Sequence, residues 1–111
     1  MSDQLIPPVL LEQVAKRFKT LCEPIRLQLI NQMQVQGEMN VNELVDAIKQ
    51  SQANVSKHLN LMAREGILSR RKDGLKVYYR IADPTIREIC TLVCSRLRQE
   101  AAAHQRLLEE L

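Results

Sequence analysis

Residues 40–81 read NVNELVDAIKQSQANVSKHLNLMAREGILSRRKDGLKVYYRI. Behind Asn40 and Asn42, either of which can cap a helix, Val41, Leu44, Val45 and Ile48 recur at helical spacing. Lys49-Gln50-Ser51 leaves room only for a tight connection. Ser51 or Gln52 then opens a further helix with Val55, Leu59 and Met62 on its apolar side, and Gly66 ends it. Beyond that the pattern turns strand-like. Leu68 and Arg70 lie on one side of Asp73-Gly74, a hairpin-turn dipeptide, and Val77-Tyr78-Tyr79-Arg80-Ile81 on the other. Two short helices across a tight turn, followed by a basic hairpin, make the order of a winged helix-turn-helix.

The flanks complete an all-helical frame around that unit. Leu10, Val14 and Phe18 recur every four residues, which predicts a helix over 9–20 after a flexible leader, 1–8, closed by Pro7-Pro8. Glu23-Pro24 starts a second helix, since proline suits the first helical position. Ile25, Leu29 and Met33 give it an apolar face, and Gly37 stops it. Asp83-Pro84 opens a last helix over 84–110. Its apolar set, Ile86, Ile89, Cys90, Leu92, Val93 and Leu97, is wider than one stripe, so one side is free for a partner chain. The expected fold is therefore mainly α with a small β-hairpin: one winged helix-turn-helix domain over 9–111, dimerising through the helices at 9–20 and 84–110.

Composition agrees with this reading. The 111 residues suit one domain, and aromatics at 3% leave the core to Leu, Ile, Val and Met, as in packed helices. No apolar run is long enough to span a bilayer, and the first eight residues lack a signal-peptide pattern. Three cysteines without framework spacing argue against a disulfide-stapled secreted domain, so the expected location is the cytoplasm, with no membrane partner. Between Gln52 and Arg80, seven basic residues face two acidic ones, a balance of +5. The other nine basic and eleven acidic residues leave −2. A cationic segment on a slightly acidic body is the footprint of a polyanion-binding face.

The chemistry of that segment suits double-stranded DNA. The second helix of such a unit enters the major groove with its N-terminal side chains at base edges. Gln52, Asn54, Ser56 and His58 are the expected base readers, with Ala53 small enough for close approach, Lys57 partly on the backbone, and Asn60 flanking. Arg70, Arg71, Lys72 and Lys76 of the hairpin are the expected phosphate contacts. A protein-interaction module is the competing class, and Lys enrichment speaks against it. Catalysis is not indicated. No nucleophile–base–acid set stands out, three glycines form no phosphate loop, and no acidic cluster marks a catalytic metal.

Leu21-Cys22-Glu23-Pro24-Ile25-Arg26-Leu27 resembles the L-x-(D/E)-P-x-R-L opening of the second helix in the ArsR/SmtB family of bacterial repressors. Ser51 through Leu59 resembles that family's S-Q-x-x-V-S-x-H-L recognition helix. Glu65-Gly66-Ile67-Leu68 and Asp73 through Asp83 resemble its wing. The resemblance implies a homodimer that binds a palindromic operator and is released by an inducer, often a metal, a metalloid or a thiol-reactive species. No cofactor is otherwise implied. One family site needs cysteines at the start of the third helix, where this chain has Asn40-Val41-Asn42. Another pairs Asp and His on the terminal helix. Asp83 matches it, but Thr85 and Arg96 stand where histidines are required. Cys22, Cys90 and Cys94 remain as candidate effector thiols for a soft metal or metalloid ion or an oxidant. Arg87, Arg96 and Arg98 lie nearby in sequence and could lower a thiol pKa. Packing of the cysteines as small hydrophobes, in a regulator with no effector, is the alternative.

Overall fold

A computed structural model describes residues 3–111. Met1 and Ser2 of the expected leader lie outside the described residues. Pro8–Leu10 forms a single 3₁₀ turn, so the first helix, α1, starts at Leu11 and runs to Leu21 rather than spanning 9–20. Then follow α2 (Pro24–Gln36), β1 (Met39–Asn40), α3 (Val41–Ile48), α4 (Gln52–Arg64), β2 (Leu68–Asp73), β3 (Lys76–Ile81) and α5 (Thr85–Glu109).

Each boundary has a local cause. Pro24 opens α2, and Gly37 ends it with φ +78°. Asn40 rather than Asn42 caps α3. Its Oδ1 accepts from the Glu43 N–H at 2.9 Å, and Glu43 Oε1 accepts from the Asn40 N–H at 2.9 Å, a reciprocal capping box. The α3–α4 turn closes because Lys49 adopts the left-handed conformation, with φ 57°. Ser51 then caps α4, its Oγ accepting from the Asn54 N–H at 3.1 Å. Asp83 stands two residues before Thr85, the first residue of α5, with Pro84 between them. Its Oδ1 accepts from both the Thr85 N–H and hydroxyl.

The hairpin turn differs from the Asp-Gly expectation. Asp73 pairs with Lys76, so Gly74 and Leu75 are the two central residues. Gly74 alone of the two has positive φ, +62°, the pattern of a type II′ turn. A third strand also appears that alternation could not reveal. Met39 and Asn40 pair antiparallel with Tyr79 and Tyr78, giving the order β1-β3-β2. A two-residue strand is too short to carry a period.

Leu29 of α2, Leu44 of α3, and Val55, Leu59 and Met62 of α4 are fully buried with Ile67 and Ile86. This core seats α4 against α2, α3 and the inner face of the hairpin. Arg17 of α1 adds a polar clasp: it pairs with Asp83 and donates to the Glu65 carbonyl at 3.0 Å. Burial by itself would raise the Asp83 carboxyl pKa. The Thr85 hydrogen bonds and the Arg17 guanidinium outweigh that and hold it below the usual value.

Candidate nucleic-acid interface

Helical geometry sorts the α4 side chains into two sets. Val55, His58, Leu59 and Met62 face the core, whereas Gln52, Ala53, Lys57, Asn60 and Arg64 are exposed and Ser56 is half-buried. Gln52, Ser56 and Asn60, each four apart, form one line along the helix. This line shares a cleft of about 200 Å³ with Arg70 and Lys76 of the hairpin and with Asn40 and Asn42 at the start of α3. Tyr79, buried beneath, donates its hydroxyl to Asn60 Oδ1 at 2.8 Å. That bond turns the Asn60 oxygen inward and leaves its amide N–H groups for an acceptor in the cleft. Asn54 sits to the side, half-buried, with its side chain donating to Gln50 Oε1 at 3.3 Å.

His58 is not an outward reader. It is 6% exposed, and its Nδ1 accepts from Arg26 Nε at 3.0 Å, while Arg26 also donates to the Thr20 carbonyl. The sequence places His58 three residues after Val55 and four before Met62, which puts it on the core side. Desolvation, then the charges of Arg26 and Lys57, lower its pKa against a smaller upward pull from Glu23. The ring is therefore a neutral acceptor that joins α4 to the α1–α2 corner.

The hairpin register divides its cations. Partners across an antiparallel pair share a face, and the buried Tyr79 lies opposite Arg70. Arg70 thus stands on the face that looks at α4, and Lys72, opposite Val77, stands two residues farther out on the same face. Neither has an ion-pair partner among the described residues. Arg71 is on the other face and is occupied. It grips the Glu38 carboxylate with Nε at 3.0 Å and Nη2 at 2.6 Å, and lies 4.5 Å above the Tyr78 ring. This hydrogen bond, then the Arg71 and Arg80 charges, hold the Glu38 pKa down against desolvation. Sequence reasoning groups Arg71 with its neighbours as a phosphate contact; in the fold it lies on the opposite face of the hairpin from Arg70 and pairs with Glu38.

One cation was missed. Arg64 lines a shallow basin with Lys57, Asn60, Ala63 and Arg70. It follows Lys57 by seven residues, two helical turns, and that spacing was the available signal.

The profile of the bacterial regulatory protein arsR family matches residues 23–70. The transcriptional repressor PagR of Bacillus anthracis is 34% identical over 82% of this chain and 91% of its own length. The chain belongs to the ArsR family. PagR's crystal structure superposes with a TM-score of 0.69 at 32% identity, covering 78% of this chain and 99% of that one. A homodimeric winged helix-turn-helix DNA-binding domain of Mycobacterium bovis, a possible ArsR-family regulator, superposes with a TM-score of 0.72 at 29% identity, over 89% and 92% of the two chains. A cadmium resistance transcriptional regulatory protein of Staphylococcus aureus is 32% identical over 84% of this chain and 70% of its own. The ArsR-family chain is thus a DNA-binding transcriptional regulator with the winged helix-turn-helix fold. Among its described residues no helix is long and apolar enough to cross a membrane.

The three thiols do not line one cavity. Cys90 and Cys94 line one cavity, whereas Cys22 lies at the end of α1, with its Sγ donating to the Lys19 carbonyl at 3.0 Å. No group of three His, Cys, Asp or Glu side chains among the described residues could hold a metal. Burial, then proximity to Cys94, raises the Cys90 pKa, the reverse of the expected effect of the nearby arginines. Arg96 instead pairs with Glu100 at 3.1 Å.

Proposed function

We propose that the chain acts as a homodimeric repressor that holds a palindromic operator through two copies of the α4–hairpin cleft and releases it when an inducer binds. The cleft carries this reading. It joins a line of uncharged hydrogen-bonding side chains, Gln52, Ser56 and Asn60, to two cations, Arg70 and Lys76, with no acid among the lining residues. The amides suit base edges, and the cations suit the flanking phosphates. Ala53 and Lys57, exposed on the adjoining stripe, complete the groove-facing surface, and Lys72 extends it at the wing. The names of PagR, a repressor, and of the homodimeric M. bovis domain support the same assignment.

For the inducer, the reading is a soft metal or metalloid ion taken by Cys90 and Cys94, one turn apart on α5. Cys22 does not line the cavity that Cys90 and Cys94 share and stands as a further candidate thiol. Coupling is reciprocal: an ion that lowers operator affinity is bound less tightly by the operator complex, by the same factor.

Selection from a random palindromic DNA library, followed by anisotropy titration, tests the operator reading. Sequence-selective binding that weakens steeply with salt is expected. Equal affinity for all duplexes, or none, overturns it. Arsenite titration of the operator complex tests the inducer: release is expected from the native chain and from Cys22→Ser, and none from Cys90→Ser/Cys94→Ser.

A further inference from the structure

A second cavity, of about 330 Å³, opens between α2 and α5, away from the DNA-reading cleft. Leu27, Ile30 and Ile86 floor it, and Cys90 and Cys94 lie along one side. Arg87 and Arg98 stand on its rim and make no ion pair among the described residues, and no acidic residue lines it. An apolar floor with uncompensated cations fits a ligand that is apolar along its body and anionic at its head. The two arginines are eleven residues apart on one helix, about 16 Å along its axis. The trough is therefore long and narrow, which suits a chain rather than a ring system.

Apart from Ile86, the α5 residues that line this trough have a face of their own. Arg87, Cys90, Thr91, Cys94 and Arg98 follow one side of the helix, while Ile89, Val93 and Leu97, four apart, follow the next. A ligand can thus occupy the trough while the second stripe faces another chain.

We propose that the α2–α5 trough binds an elongated apolar carboxylate of the fatty-acid class, its chain over Leu27, Ile30 and Ile86 and its head held by a guanidinium group at one end of the rim. This reading needs no covalent or metal chemistry at the thiols and does not rest on the operator reading.

The cysteines report occupancy. The full chain is alkylated with iodoacetamide in the presence of sodium decanoate below its micelle concentration, and each thiol is followed by mass spectrometry. Saturable protection of Cys90 and Cys94 by about fivefold is expected, with Cys22 as an unprotected internal control. Decanol and decylamine, of equal length but without the carboxylate, are expected to protect at least tenfold more weakly. Arg87→Ala/Arg98→Ala is expected to weaken decanoate by about tenfold while its thermal unfolding stays unchanged, since both side chains are exposed. Equal slowing of all three thiols, no slowing, equal potency of decanol, or full retention in the double variant overturns the proposal. Because no DNA is present, none of these outcomes bears on operator binding.

Discussion

Two neighbouring arginines with the same charge have different surroundings. Arg70 looks at α4 with no counter-ion among the described residues, whereas Arg71 is held by Glu38 and Tyr78 behind the sheet. Arg70→Ala is expected to weaken binding to every duplex alike and to reduce the slope of log affinity against log salt by about one. Arg71→Ala should leave that slope unchanged, and anisotropy at several salt concentrations separates the two. Gln52→Ala should instead cost about 1–3 kcal/mol at particular base pairs and relax preference there, as a substituted-operator series would show. His58 makes a pH prediction. Its folded pKa is depressed, so the native state prefers the neutral ring. The unfolded chain takes up the proton first, below about pH 6.5, and stability falls from there until the folded ring protonates too. Denaturant melts of the native chain and of His58→Asn, which keeps an acceptor for Arg26, should diverge below about pH 6.5, the variant showing the shallower loss. Parallel curves would remove His58 as the cause.

At the scale of elements, α4 is aimed by its two ends. Ser51 caps the first turn, and Lys49 closes the preceding connection in the left-handed region. Ser51→Ala is expected to cost about 1 kcal/mol in chemical denaturation, because it orphans an N–H of the first turn. It should also weaken operator binding more than that figure implies, since Gln52 and Ala53 lie in the turn that frays. If stability and affinity fell by the same factor, α4 would be losing population without losing aim. The hairpin is placed from behind by β1, whose short pairing to β3 carries Glu38 to Arg71. This strand is invisible to periodicity, and so is the role it assigns to Arg71.

At the scale of the molecule, the protomer is unfinished. Its radius of gyration is 17.5 Å, against about 13 Å for a compact chain of this length. The excess lies in α5, which buries only Ile86 and leaves Val93 and Leu97 more than half exposed, as is Phe18 of α1. Apolar surface of this extent on a small domain calls for a partner. Val93→Asp/Leu97→Asp is expected to convert the protein to a monomer in sedimentation while the circular dichroism of the domain persists. Operator affinity should drop by orders of magnitude, because one half-site then binds without its linked copy. A variant that sedimented as the native chain does would locate pairing elsewhere.

The helices, the hairpin and the outward positions Gln52, Ser56 and Asn60 were legible in residue order, because period, caps and turn dipeptides act over a few residues. Membership of the family was equally legible in Leu21–Leu27 and Ser51–Leu59. What the chain order could not disclose were contacts between residues far apart: Arg26 to His58, Arg71 to Glu38, Tyr79 to Asn60, and the cavity that Cys90 and Cys94 share with α2. A polar side chain on a helix reads the same whether it meets water or a buried guanidinium, and only packing brings the second group to it.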